Sequence, residues 1–370
     1  ILNDNENDEG NAIALDPAGN VYVTGVANSD LVVIKYNNAG VQQWIQSYNN
    51  VADDLDEGIA CYADASGVYI AGRTDTDSSP NTNYDILVTK LSSTGTQLWA
   101  QTYNGTANSN DRPEAMTGDA NGIYITGRST VGTTENIITL KYALNGTLGW
   151  TASYGTATGN DRGDAIAVRG NAVDVGGRTS SGTTDDAVTI KYNGTGVQQW
   201  AQIYTNTGND RIYDIATDSL GFVYVAGQDN DGTDDNVLVI KYNNAGVQQW
   251  LSTYDSGTGY DQANALAVDC AGNVWITGRK QDAALADDLL TIKYNGKTGA
   301  QMWLDTYTGS NLDDVGNDIA IYGSGTNNSI YVVGTTETAS TQEDALARKY
   351  TETIPVLTIS PANPTICLGQ

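Results

Sequence analysis

The chain has 370 residues, with 41 Gly, 22 Tyr, one Phe and no His, and carries a formal charge of −26. A surface of that sign repels phosphate backbones and anionic lipid, which argues against nucleic acid and membrane surfaces as partners, and no apolar stretch approaches the length of a membrane span, which argues against membrane insertion. Without His there is no Ser-His-Asp or Cys-His nucleophile and no His-ligated metal site.

In chain order, the sequence opens on Ile1-Leu2-Asn3-Asp4, polar and already inside a repeat, and is expected to be a mature or trimmed product. The repeat then runs to about residue 350. Lys35, Lys90, Lys141, Lys191, Lys241, Lys293 and Lys349 each sit in a short apolar segment, 50 to 56 residues apart. After the first six comes a Trp (Trp44, Trp99, Trp150, Trp200, Trp250, Trp303), and four residues after each Trp a Tyr. The fifth unit shows the elements. Asp214–Thr217, Val223–Gly227, Val237–Tyr242 and Val247–Tyr254 read as four strands, joined by turns rich in Asn, Asp and Gly where positive φ costs little. A period near 50 with four short strands per unit predicts an all-β, seven-bladed β-propeller with four antiparallel strands per blade.

Strand one is expected to place a small residue at the crowded hub (Ala14, Ala60, Thr117, Ala167, Ala216, Ala267, Ala320), beside a larger one such as Ile13 or Ile59. Trp and Tyr four apart share a strand face and form a wedge between blades. Seven of the nine lysines occupy the one repeated position. The structural reading packs each stem between blades and pairs its ammonium with a first-turn carboxylate: Asp16, Asp64, Asp119, Asp218 or Asp269. The functional alternative is a ring of cations for an anionic ligand.

The seventh unit ends at Lys349-Tyr350 with no Trp strand. The last blade is therefore expected to be closed by the N-terminal segment, residues 1–4, with Val356–Ile359 folding back as the alternative. Residues 351–370 break the repeat and read as a linker and the first strand of a truncated immunoglobulin-like module. Cys61 and Cys270 fall in non-neighbouring units, so a bond between them is not expected, and Cys367 lies in the tail.

The consensus D-x-x-x-A-I-A-x-D-x-x-G-N-V-Y-V-T-G, followed by T-I-K-Y-N-x-x-G-x-x-x-W-x-x-x-Y, is clear in 11–25, 189–204, 210–227 and 264–278. It resembles the bacterial β-propeller repeat family, SBBP. The resemblance implies a secreted or cell-surface location next to immunoglobulin-like modules, and carries no catalytic residues. Arg169 and Tyr322 depart from it at the first-turn Asp, and Leu91 at the Tyr after the lysine.

Candidate chemistry falls on the face where the loops before strand one and after strand two emerge. Arg73, Arg128, Arg178 and Arg279 follow the strand-two Gly, while Arg112, Arg162 and Arg211 follow the Asp that opens the unit. The first set, with Asp185 and Asp287, forms a candidate ligand rim, or both sets form a ladder of ion pairs between blades. Asp229, Asp231, Asp234 and Asp235 offer hard oxygens for calcium, without EF-hand spacing. No other cofactor is indicated. Paired-carboxylate catalysis would need odd acids concentrated at one place, and the acids read as evenly spread. The function expected is a non-catalytic structural or binding module of a multi-domain bacterial surface protein, in adhesion or ligand display toward a glycan or cell-surface protein. The alternative is a carbohydrate-binding or carbohydrate-degrading propeller using the variable-loop face.

Overall fold

A computed structural model describes residues 8–49, 55–75, 83–156, 159–180, 182–257, 259–281, 286–309, 312–324, 327–337 and 343–353. Among these, every regular element is a strand. The strands make seven sheets, six of four strands and one of three. Each is a meander; the first runs Glu9–Leu15, Val21–Ala27, Asp30–Tyr36, Gln42–Tyr48, hydrogen-bonded in that order. The chain forms two compact units, Ile1–Thr183 with Ile190–Gln199, and Thr184–Thr189 with Trp200–Gln370, and the division passes through the fourth sheet.

Within each unit the core lies between consecutive sheets. In the first unit, Tyr22, Leu31 and Val33 of one sheet pack against Val68, Ile70 and Leu87 of the next, and Tyr69, Ile86 and Val88 against Ile123, Ile125 and Leu140. In the second, Tyr224, Val237 and Val239 meet Val274, Ile276 and Ile292, and Trp275 and Leu289 meet Ile330 and Val332. In the second to sixth sheets strands two and three are buried on both faces, which is why they read as unbroken apolar runs, whereas in the seventh Tyr331 and Val333 are exposed while Ile330 and Val332 are buried.

Two irregularities recur. Strand one carries a bulge opposite the strand-two Gly, with Asn11, Ile59, Glu114, Asp164, Tyr213, Asn264 and Asn317 as the extra residues. The bulge presses a strand-one carbonyl onto that Gly, so a Cβ on Gly227 would meet the Arg211 oxygen at 1.9 Å. This explains the invariant Gly ending V-Y-V-T-G. The second irregularity lets Lys face Trp across strands three and four, as in Lys35↔Trp44 and Lys241↔Trp250, one residue out of simple register.

In the second sheet Tyr62 and Cys61, not Ala60 and Ile59, occupy the positions of Ala14 and Ile13, because Ile59 is the bulged residue equivalent to Asn11. Strands one and two run longer than their apolar patterns, to Arg211–Thr217 and Val223–Asn230 in the fifth sheet. The two arginine sets therefore lie on strands, not loops. The seventh sheet has three strands, Asp314–Ser324, Asn327–Glu337 and Glu343–Thr353, the last continuing three residues past the expected end of the repeat. Closure by residues 1–4, the alternative strand 356–359, the immunoglobulin-like tail and Cys367 all lie outside the described residues.

Candidate functional site

The Trp–Lys pairs hold neighbouring sheets together. The indole N–H of Trp44, Trp99, Trp150, Trp200 and Trp250 donates to a carbonyl in the strand-three-to-four turn of the following sheet: Ser93, Leu144, Gly194, Asn244 and Gly296, at 3.1–3.2 Å. The turn glycine lies on the indole face; a Cβ on Gly146, Gly196 or Gly246 would stand 2.7–2.8 Å from the ring of Trp99, Trp150 or Trp200. The motif N-x-x-G-x-x-x-W is thus read in two places at once, since its Gly serves the preceding sheet and its Trp the following one.

The lysine ammoniums differ from the simple expectation. Lys35 and Lys241 donate to the Ser93 and Gly296 carbonyls (2.8 and 2.7 Å), and Lys90 to the Tyr69 hydroxyl (2.6 Å). Lys141 and Lys349 lie over the rings of Tyr124 and Tyr331. Of the first-turn aspartates, Asp269 pairs with its lysine, Lys293, at 3.5 Å. Asp16 and Asp218 instead accept turn N–H groups and the hydroxyls of Tyr22 and Tyr224. Asp64 and Asp119 likewise hold Tyr69 and Tyr124. In the fourth sheet Arg169 stands at the first turn and Asp174 replaces the strand-two aromatic; Lys191 pairs with Asp174 at 3.1 Å, both side chains buried.

At the opposite strand ends the opening aspartates Asp56, Asp111, Asp161, Asp210, Asp261 and Asp314 are at most 1% exposed. They organise the loops. Asp161 accepts the N–H of Thr156 and Ser180, and Asp210 those of Asn206 and Asn230. Burial pushes the Asp210 carboxyl up to about 6, with backbone N–H groups opposing and Asp229 adding to the rise.

Beside these loops in the first unit sits the densest charge cluster among the described residues. Arg112 lies opposite Arg128, and Arg162 opposite Arg178, on adjacent strands. Glu114, almost fully buried, is 3.1 Å from Arg162, 3.7 Å from Arg128 and 3.9 Å from Arg112. Asp164 is 2.5 Å from Arg162, and Glu135 is 3.1 Å from Arg128. Burial pushes the Asp164 carboxyl up to about 6, opposed by Arg162 and Arg178 and reinforced by Glu114. Both acids are bulge residues, and a bulge re-aims a side chain that alternation would place elsewhere. Like charges directly opposite in a sheet are destabilising, so two Arg–Arg pairs are not what stability alone selects. The side chains of Arg112, Arg128 and Arg162 keep about 30% exposure.

The six expected rim residues divide. Arg128 and Arg178 belong to this cluster. Arg73 pairs with Glu57 at 2.7 Å beneath the Tyr84 ring. In the second unit Asp185 pairs with Arg211 (3.1 Å) and Arg279 with Asp287 (2.8 Å). Glu114 and Asp164 were not singled out by sequence reasoning. Their signal is that other repeats hold Asn, Ile or Tyr at this position, so two neighbouring acids do break the repeat at one place.

The calcium candidates are engaged separately. Asp229 accepts from Tyr204 and Asn206, Asp235 from Asn230, and Asp231 caps Thr233. Among the described residues no three acids converge as a metal site.

The beta-propeller repeat family, SBBP, matches at residues 2–31 and 199–228, each span taking in a strand-one–strand-two hairpin. No curated protein matches the chain. Similar solved structures include a PL25 polysaccharide lyase, an ulvan lyase bound to -[GlcA(1-4)Rha3S]- (13% identity, 94% of each chain, TM-score 0.51). The polysaccharide lyase Uly1 is similar too (11% identity, 94% of this chain and 90% of that one, TM-score 0.50). So is Sqt1 from Chaetomium thermophilum (13% identity, 90% and 82%, TM-score 0.57). At such identities the likeness concerns the fold, which is propeller-like and all-β.

Proposed function

We propose that this chain is a non-catalytic, ligand-presenting propeller module of a secreted or surface-anchored bacterial multi-domain protein, and that the cluster of Arg112, Arg128, Arg162 and Arg178 takes an acidic glycan. The observation that carries this reading is a local excess of guanidinium in a chain of charge −26. Four arginines face Glu114, Asp164 and Glu135, and Asp164 holds its proton up to about pH 6. Guanidinium forks match carboxylate and sulfate oxygens in pairs. An acidic polymer is repelled by most of a surface of this charge, which favours the arginine cluster as its place of contact. That two of the similar structures are polysaccharide lyases, one holding a glucuronate-containing sulfated glycan, agrees with this choice of ligand class.

In the same reading the three-stranded seventh sheet receives its fourth strand from the N-terminal segment, and residues 354–370 lead into a further module.

The test is retention of uronic-acid and sulfated polysaccharides by the intact chain, beside neutral ones. Acidic polymers are expected to bind, more weakly as salt rises. The double variant R112Q/R162Q is expected to bind roughly tenfold more weakly, a loss of about 1.4 kcal/mol. No retention of any acidic polymer, or an unchanged affinity in the variant, refutes the site. Release of shortened or unsaturated oligosaccharides refutes the non-catalytic part.

A further inference from the structure

The sixth tryptophan breaks the pattern of the other five. No described carbonyl takes the Trp303 indole N–H as the Ser93 carbonyl takes that of Trp44, and no turn glycine lies on its face. The cause is local. The last strand of the seventh sheet runs straight on through Thr353, paired with Asn327, where the other sheets turn after their Tyr. Trp303 is 37% exposed, whereas Trp250 is buried and Trp44, Trp99, Trp150 and Trp200 are half-buried. A pocket of about 560 Å³ opens there, wholly within the second unit, lined by Trp275, Trp303, Tyr350, Lys293, Lys349 and Glu352 among others. That volume lies in the range of small-ligand sites, roughly 300–1,000 Å³.

The five covered copies show what this seat accepts. Each receives an oxygen acceptor on the indole N–H and an aliphatic C–H group, the glycine Cα, on the ring face. In two copies the lysine ammonium shares the same carbonyl. A pyranose ring presents the same two features, a face of C–H bonds and a rim of oxygen acceptors. At Trp303 the aromatic neighbours of the covered copies remain, as Tyr22 stands beside Trp44 and Tyr192 beside Trp150, but without the turn, and they are joined by hydrogen-bonding side chains. Tyr350 stands edge-on to the indole at 5.1 Å and Trp275 is tilted to it at 5.6 Å. The Glu352 carboxylate, bonded to Lys293, can accept from hydroxyls, and Lys349 can donate to them. With Lys293 offset by Asp269 and Glu352, the pocket carries no large excess of charge.

We infer that the Trp303 pocket is a second binding site of this chain, for an uncharged pyranose unit of a glycan, stacked on the indole with its hydroxyls on Glu352 and Lys349. It is independent of the arginine cluster, which takes charge rather than a ring face.

The experiment titrates the intact chain with neutral oligosaccharides derived from cellulose, xylan, mannan and chitin. Tryptophan fluorescence and saturation-transfer NMR report binding. At least one is expected to bind in about the millimolar range, and W303A to lose roughly tenfold or more. E352Q, which leaves the aromatic wall in place, should lose severalfold and serves if W303A does not fold, as judged by its melting curve. R112Q/R162Q should keep the wild-type affinity for the neutral sugar, so failure at the arginine cluster and failure here are told apart. Three outcomes overturn the inference: no neutral oligosaccharide binds, affinity is unchanged in both W303A and E352Q, or a Tyr-Asn-Asn-Ala-Gly-Val peptide binds at Trp303 where the sugars do not.

Discussion

Gly196 and Gly40 offer a controlled comparison of what the turn glycine does. Both sit at the same place in the strand-three-to-four turn, with φ of 80° and 76°. In both turns an Asn side chain accepts the same two backbone N–H groups. A Cβ on Gly40 would meet nothing within 4 Å, whereas one on Gly196 would stand 2.7, 2.8 and 3.0 Å from three atoms of the Trp150 ring. Alanine at Gly40 therefore incurs only the left-handed backbone cost, about 1 kcal/mol. Alanine at Gly196 incurs that cost and must also displace a packed indole, adding roughly 1–3 kcal/mol of overpacking. It also strains the Trp150 N–H bond to the Gly194 carbonyl, worth about 1 kcal/mol. The expected gap between G196A and G40A is thus about 2 kcal/mol or more, roughly thirtyfold in the unfolding equilibrium. Urea unfolding followed by tryptophan fluorescence measures it as a difference in midpoint at unchanged slope. Equal losses in the two variants would refute the account of the Trp–turn contact.

Three further outcomes follow from the same contacts. Burial raises the carboxyls of Asp164 and Asp210 to about 6, and that of Asp214 to about 7 with Asp318 adding to the rise. A raised carboxylate favours the fold while protonated, and that stability is lost as pH climbs through the folded value. The melting temperature should therefore fall between pH 5 and pH 8, for a combined loss of about 5 kcal/mol, and D214N should flatten part of the profile; a profile that rises over this window contradicts the reading. K191M leaves the Asp174 carboxylate buried without its cation and should cost about 3–5 kcal/mol. K35M, whose ammonium donates to the Ser93 carbonyl and lies over the Tyr22 ring, with the Asp16 carboxylate as its charge partner, should cost about 1–2 kcal/mol by urea titration; the reverse order would contradict the assignment. Deleting residues 1–7 should lower the melting temperature by several degrees if they supply the seventh sheet's fourth strand, and no change would refute that closure.

Much of the fold is legible because its determinants are periodic. Lys and Trp keep a nearly constant spacing since they face each other across strands three and four, with the turn glycine between them committed to the preceding Trp. The rim was less legible. The Ile59-Ala60 dipeptide resembles Ile13-Ala14, but spacing from the opening Asp aligns Cys61 and Tyr62 with them instead, and the structure follows the spacing. The arginines were assigned to loops because the apolar pattern stops at the strand-two Gly, while the backbone pairing continues past it. The meeting of Glu114 with Arg162 spans 48 residues and depends on both bulges, which no local pattern encodes. The Trp303 pocket arises where a turn is replaced by continuing strand, and the sequence showed only the end of the repeat.

The most direct test of the functional claim is hydrogen-exchange footprinting of the intact chain with a uronic-acid polysaccharide at low salt. Slowed exchange is predicted along Asp111–Asp119, Gly122–Val131, Arg162–Arg169 and Ala172–Ser180, the strands that carry the arginine cluster. Protection confined to other strands, or none while the polymer is bound, would contradict it.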